Sequence, residues 1–472
     1  MRNIINPVLL LSSTFLLLLS TSLAQEKNPL KVIGTFPKGQ TEGTNQTRTI
    51  IATFNRPMVP LQELPEGDGS GPLTITPSLK GKYRWLGTST LSFTASETLE
   101  VATEYRVTIP SGLKASDGST LAKAVSWTFT TPRPVLVASF PGHNQRWVGL
   151  NPAIFLRFSQ RMNVARASSF IQMKEGSRDG VSVPITLGVP TNEEMQKAKL
   201  YWSSDTTTMF AMRLQRPLSK NKRYVVMLVK GLLGARGALG MEKEASFAFE
   251  TYYDFSFEGA VNPTKRHPHE SLTLRFSNPV AMKELPKNLT FSPAVKLPEG
   301  FSEYEWSSSE LSINLELKPE ARYTGKIGKE LKDIFGQALD KDAEFILTTR
   351  SFDPFFTMTT GHGILESYGE RMYPVNVVNL NSLDVQMLKL TRDNLVPGLS
   401  SSFPDNLQFE ISKEWQVNPK RNVQTVVGLK LDDAISANKH GAVLLQVSAP
   451  SLQATLRTDV QVTEMGLTTK FS

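Results

Sequence analysis

The sequence predicts an all-β protein, tandem β-sandwich domains in an elongated array, and three observations carry that prediction. A set of short strand-like stretches recurs three times in fixed order, each recurrence closes on a stretch of Phe-x-Phe-x-Thr type, and Pro or Gly after the strands marks turns or bulges between them.

The chain opens with Arg2, an apolar run from Val8 to Leu19 and the small-residue stretch Ser22-Leu23-Ala24, which reads as a signal peptide over residues 1–24. Its apolar core is about a dozen residues, short of the roughly 20 that span a bilayer as a helix, so no transmembrane segment is expected after cleavage. Gln25 stands where a lipid-anchored chain needs cysteine, and the count is Cys 0. A lipid anchor, a disulfide framework and a thiolate nucleophile are therefore not expected, and the mature chain is expected to be periplasmic or secreted. Lys and Arg are interspersed with acids at a net charge of +8, which suits solvated faces better than a nucleic-acid surface.

The first copy, placed at residues 29–132, runs from Phe36-Pro37 through Ile50-Ile51-Ala52-Thr53-Phe54, the turn Asn55-Arg56-Pro57-Met58, Ile75-Thr76-Pro77, Trp85 and Tyr105 to Trp127-Thr128-Phe129-Thr130-Thr131. The second, 133–252, repeats Phe140-Pro141, Ile154 to Phe158, Met162, Trp202, Tyr224 and Phe247 to Thr251. The third, 253–350, repeats Asn262-Pro263, Leu272 to Phe276, Pro279, Phe291-Ser292-Pro293, Trp306, Tyr323 and Phe345 to Thr349. From Tyr to closing Thr the copies measure 26, 27 and 26 positions, and each interval holds Leu, four residues, Gly: Leu113 to Gly118, Leu232 to Gly237, Leu331 to Gly336.

Alternating apolar and polar residues ending at Phe54, Phe158 and Phe276 have the period of half-buried strands, and strands every 8 to 12 residues with turns between them indicate Ig-like sandwiches of about 100 residues. Trp85, Trp202 and Trp306 are expected to be core pins between the two sheets of each copy. The second copy carries extra residues before Trp202, where Thr191 to Ala198 offers a cap, early acids and a late base, so a short helical insertion is expected there.

Residues 351–472 follow another pattern, with strand-like runs at Pro374 to Asn379, Leu383 to Leu390, Val423 to Leu431, Ala442 to Val447 and Asp459 to Val462. They are read as a further β domain, incomplete at its C-terminal end, because Thr463 to Ser472 looks like a turn entering a new strand.

The three copies, with Phe54, Pro57 and Met58, the Ile-x-Pro strand and the Trp, resemble the Ig-like domains at the amino end of bacterial alpha-2-macroglobulins. Pro374 to Leu390, with Thr463-Glu464-Met465-Gly466-Leu467, is similar to the macroglobulin-type domains that follow them. The resemblance implies a protease trap, in which cleavage of a bait segment triggers capture by a Cys-x-x-Gln thioester. This chain has no cysteine, so it is expected to be an N-terminal scaffold lacking bait and thioester regions, its partners proteases or envelope proteins engaged through domains outside it. A tandem Ig-like envelope or adhesive module, with sheet edges open to an extended peptide, is the alternative.

No enzyme chemistry is expected, and no catalytic, cofactor-binding or metal residue is assigned. Gly67-Asp68-Gly69-Ser70-Gly71 lacks the spacing of a nucleophile elbow and reads as a flexible loop. Of His143, His267, His269, His362 and His440 only His267 and His269 form a pair, read as a polar turn. Asp68, Asp333, Asp340 and Asp342 are expected in turns where carboxylates accept backbone N–H groups. Gly361-His362-Gly363 lacks the strand-then-helix context of a phosphate loop. The glycosylation sequons at Asn45 and Asn288 carry little meaning in a periplasmic chain.

Overall fold

The computed structural model describes residues 29–44, 47–62, 64–68, 71–200, 205–300, 305–394, 408–436 and 439–464. The signal peptide, Asn45, Ser70, Trp202 and the terminal Met465 to Ser472 lie outside the described residues. The chain divides between Tyr252 and Tyr253 into two units, each holding two pairs of sheets.

In the first unit, the strands Val32–Phe36, Thr49–Phe54, Thr90–Ala95, Gly81–Leu86 and Glu66–Asp68 form one sheet, and Gly39–Gln40, Val125–Thr130, Glu104–Ile109 and Thr74–Thr76 form its partner. Thr49–Phe54 alternates in burial as its period-2 pattern requires, with Ile50, Ala52 and Phe54 inward. The core between the sheets includes Phe54, Trp85, Phe93, Tyr105 and Phe129. Trp85 is buried beside Phe54, ring centroids 5.9 Å apart, as expected.

The second pair of sheets sets Leu136–Phe140, Ile154–Phe158, Met209–Leu214 and Ile185–Gly188 against Gln145–Val148, Ala245–Thr251, Arg223–Leu228, Ile171–Glu175 and Val181–Ser182. Here Ile154–Phe158 is buried on both faces, because the helical insertion Asn192–Lys197 lies over the outer one. Thr191 and Glu194 close a capping box at its start. Phe155, Met209 and Ala211 form a small second core with Met195, Ala198 and Leu200. A helix of six residues is too short to hold by itself, and this apolar contact holds it.

In the second unit, Phe257–Ala260, Leu272–Ala281 and Ser307–Ile313 face Leu289–Ser292, Arg322–Ile327 and Ala343–Thr348. The expectation for Trp306 fails: it is 45% exposed. Leu311 and Ile313 point inward along Ser307–Ile313 while Glu310 and Ser312 point out, so a residue at position 306 falls on the outer face by parity. The space beside Phe276 is taken by Phe255 and Phe257, at 5.8 and 5.5 Å between ring centroids.

Phe355–Thr357, Met372–Val378 and Thr425–Lys430 face a five-stranded sheet of Gly361–Glu366, Ala454–Thr463, Gly441–Ala449, Ser382–Leu390 and Ile411–Gln416. All five strand-like runs read after residue 351 are strands, and Gly361–Glu366, which includes the Gly-His-Gly stretch, is one more. One connection rule unites the pairs of sheets. In the first, second and last, a short early strand lies parallel to the closing strand: Gly39–Gln40 on Val125–Thr130, Gln145–Val148 on Ala245–Thr251, Gly361–Glu366 on Ala454–Thr463. In the third it shrinks to the parallel bridge Arg266–Thr349.

What the three Ig-like copies share most closely is polar. The hydroxyls of Tyr105, Tyr224 and Tyr323 each accept the N–H of the residue five positions earlier, Glu100, Ser219 and Lys318, at 3.1, 2.9 and 2.9 Å. This is the tyrosine corner of Ig-type sandwiches. The carbonyls of those same three residues accept the hydroxyls of Thr131, Thr251 and Thr349 at 2.6, 2.7 and 2.6 Å. Each threonine hydroxyl also accepts a backbone N–H, from Thr103, Lys222 and Ala321. The turn enclosed between them has Ala102, Asn221 and Glu320 in the left-handed region, φ 49, 53 and 52°. The Leu-to-Gly loops are tied equally: the N–H of Ser116, Ala235 and Ile334 donates to the carbonyl of Pro57, Arg161 and Pro279 at 2.9, 2.9 and 3.0 Å. Gly118, Gly237 and Gly336 end those loops at φ 78, 76 and 84°, where a Cβ is disfavoured.

Candidate functional site

The residues weighed for chemistry are scattered. His143 Nδ1 accepts the Ala248 N–H at 3.3 Å, His362 meets Asp459 across the edge of the last sheet, and His440 lies 3.8 Å from Glu464. His267 and His269 do share a turn, where His267 Nδ1 accepts the His269 N–H at 3.2 Å, and both rings pack on Phe352 at 5.9 and 5.3 Å. Asp333 is buried, with its carboxylate accepting from the N–H groups of Phe335 and Gln337 and from Asn278 Nδ2. Asp342 accepts the Lys329 N–H and pairs with Lys326 at 2.8 Å, and the Lys326 hydrogen bond holds its carboxyl below the usual range. Asp340 lies in a bend, whereas Asp68 is on the edge strand Glu66–Asp68 and not in a turn, because pairing with Gly81–Leu86 straightens it. Among the described residues no group of three His, Cys, Asp or Glu side chains is placed to hold a metal ion.

The geometry instead concentrates at the joint between the two sandwiches of each unit, and the left-handed turn of the earlier sandwich's tyrosine corner takes part in it. In the first unit the Ala102 carbonyl accepts the N–H groups of Ala238 and Leu239, at 3.0 and 2.8 Å, which directly follow the Leu-to-Gly loop of the next copy. Gly237 is required there twice over, by its φ and because a Cβ would lie 2.2 Å from the Val101 carbonyl oxygen. Arg166 clamps the same loop through the Gly234 carbonyl at 2.9 Å, and Arg236 pairs with Glu100 at 2.6 Å.

In the second unit the same position is Glu320. Its carboxylate accepts from Asn422 Nδ2 at 2.9 Å and from the Ser351 hydroxyl at 3.0 Å, and it pairs with Arg421. Asn422 and Asn379 fasten the connecting segment: the Phe352 N–H donates to Asn422 Oδ1 at 2.9 Å, and Asn379 Nδ2 donates to the Phe352 carbonyl at 2.7 Å. Arg350 pairs with Asp353, which is held below the usual carboxylate range by that guanidinium. A groove of about 1000 Å³ runs along this joint, its cations Lys265, Arg322, Arg350 and Arg421. Beside it, Phe352, Phe355 and Val378 with the two histidines line a smaller recess of about 410 Å³. The signal for the joints was present in the sequence, in the constant Tyr-to-Thr interval, although the order of residues alone assigns it no role.

The class these features define is a chain of Ig-like β-sandwiches, and a family model described as a bacterial Ig-like domain matches residues 26–131. The particular resemblance is to alpha-2-macroglobulins. An alpha-2-macroglobulin homolog of Nostoc sp. is 26% identical over 439 residues, covering 88% of this chain and 23% of that protein. The chain thus spans about a quarter of the length of the curated relative it matches. Among solved structures, native Escherichia coli alpha-2-macroglobulin spanning domains MG0-NIE-MG1 is 19% identical, covering 46% of this chain and 74% of that one, at a TM-score of 0.27. A Salmonella alpha-2-macroglobulin variant is 12% identical, covering 93% and 34%, at a TM-score of 0.19. No helix of the described residues is long and apolar enough to cross a membrane.

Proposed function

We propose that this chain is an exported N-terminal scaffold of a bacterial alpha-2-macroglobulin-like protease inhibitor. Its domains are the signal peptide 1–24, three Ig-like sandwiches at 29–132, 133–252 and 253–350, and a macroglobulin-type domain at 351–472. The observation that carries the reading is the likeness to the Nostoc homolog along 88% of this chain. The joints support it, since a turn that is itself locked by Tyr and Thr transmits the orientation of one domain to the next. Without a cysteine the chain makes no thioester of its own, so covalent capture of a protease is not its part in the trap. Proteases or envelope partners are engaged through segments other than these.

The test is a chimaera in which residues 29–463 replace the matching segment of the Nostoc homolog. Protease added to it is expected to keep its activity on a small peptide while losing it on a large protein substrate, as with the parent homolog. A folded chimaera that leaves digestion of the large substrate untouched sinks the scaffold reading.

A further inference from the structure

Two features belong to the second sandwich and to neither Ig-like neighbour, and they meet at one place. The first is an irregularity in its short parallel strand: Gln145 pairs with Phe249 and Val148 with Thr251, so three steps on one strand oppose two on the other. The extra residue bulges Arg146 and Trp147 out of register, with Trp147 at φ 55°. A bulky residue in the left-handed region is strained, and such strain persists where the surroundings hold the side chain for a purpose. The counterpart strand Gly39–Gln40 in the first sandwich pairs without a shift. The second feature is the insertion Asn192–Lys197, fixed by its own small core.

Between them lies a cleft of about 570 Å³. Its wall includes Trp147 and Phe140, with the side-chain amides of Gln145 and Asn151 at the rim and Lys197 and Lys199 on the insertion side. The Arg146 guanidinium sits 4.9 Å from the indole centroid, covering one face of the ring, and does not itself line the cleft. Arg213 is occupied: its Nε and Nη2 donate to Glu194 at 2.7 and 2.9 Å, which holds Glu194 ionised below its ordinary range. Lys197 and Lys199 are exposed, and neither is held in an ion pair among the described residues.

We propose that this cleft binds an acidic glycan, a sugar chain carrying carboxylates. A pyranose ring presents a flat C–H face that stacks on an indole and an edge of hydroxyls that amides can pair, and its carboxylate is complementary to the ammonium groups of Lys197 and Lys199. An acidic peptide would use the lysines but brings no flat C–H face to the indole that lines the cleft. The inference is independent of the scaffold reading, because it concerns one sandwich and its own surface.

The test uses the full chain at low salt, titrated calorimetrically with hexameric oligogalacturonate, neutral cellohexaose and hexaglutamate. Oligogalacturonate is expected to bind, with at least a tenfold loss of affinity in Trp147→Gly and in the double variant Lys197→Glu/Lys199→Glu, while cellohexaose and hexaglutamate bind at least tenfold more weakly than oligogalacturonate to the unaltered chain. Glycine accommodates φ 55° without strain, and unchanged exchange protection of Ala245–Thr251, the strand paired with Gln145–Val148, is the control that Trp147→Gly keeps its fold, so that its lost affinity reports the ring. The proposal fails if oligogalacturonate does not bind, if hexaglutamate binds as tightly, if cellohexaose binds as tightly, or if Trp147→Gly leaves affinity unchanged.

Discussion

The first and third sandwiches run the same connections and the same Tyr–Thr lock around different centres. In the first, Trp85 is buried against Phe54; in the third, the tryptophan of the same sequence block is on the surface and Phe255 with Phe257 flank Phe276. Core volume can be supplied by any apolar residues of suitable size, since packing is satisfied by shape. The lock has no such freedom. Each buried main-chain group in the turn needs a partner at a fixed distance, and only a hydroxyl at the right step of the strand provides one.

The comparison breaks most sharply at the two tryptophans. Trp85→Ala should cost about 3–5 kcal/mol in the first sandwich, by lost transfer energy and the cavity left behind. Trp306→Ala should stay within about 0.5 kcal/mol, as a surface change does. A chain of several domains does not unfold in one step, so the readout is hydrogen exchange of the strands Thr90–Ala95 and Ser307–Ile313, each reporting its own sandwich. Equal losses at both sites would mean that the third sandwich is also built around its tryptophan.

Those residues also show where the sequence was readable. The all-β class, the three copies and the insertion were legible because period-2 burial in Thr49–Phe54 and a capping box at Thr191 are local patterns. Trp306 was misread because the copies match in order but not in element: Trp85 sits inside the strand Gly81–Leu86, whereas Trp306 only precedes Ser307–Ile313, whose alternation puts that position on the outer face. The strand Gly361–Glu366 escaped because its pairing with Ala454–Thr463 joins positions 97 apart and its own residues follow no apolar alternation. The cleft at Trp147 was hidden for a related reason: a bulge has no period to detect.

The lock should answer alike in all copies. Thr131→Val, Thr251→Val and Thr349→Val each keep the shape and strand preference of the side chain but strip partners from one buried N–H and one carbonyl. About 1–3 kcal/mol is expected from each, by the same exchange readout. A third copy that tolerated Thr349→Val while the first did not would show that the lock, like the tryptophan, has drifted in role.

Glycines sharpen the contrast between a loop that ends in solvent and one that makes a joint. Gly336 has positive φ but open space around its missing Cβ, so Gly336→Ala should cost about 1–2 kcal/mol from backbone strain alone. Gly237→Ala adds a clash with the Val101 and Ala102 carbonyls. Local stability of the second sandwich should fall by a similar amount, and protection of the Ala238 and Leu239 amides should be lost in addition. Protection that survived would mean the joint flexes around a methyl group.

The smallest effect is expected from ionisation of the corner tyrosines in the first unit. Burial comes first among the causes that raise the Tyr105 and Tyr224 hydroxyls above their ordinary value of 10.0, with the nearby Glu100 and Glu175 carboxylates adding to it. An unfolded chain therefore releases these protons at a lower pH than the folded one does. The stabilisation is fully present below pH 10 and is lost as pH climbs through the raised folded values, because ionisation of the unfolded state then pulls the equilibrium. Exchange-derived stability of the two sandwiches should decline above that point, and Tyr105→Phe with Tyr224→Phe should flatten the decline while lowering the plateau beneath it. An alkaline decline of unchanged steepness in the double variant would assign it to groups other than the lock.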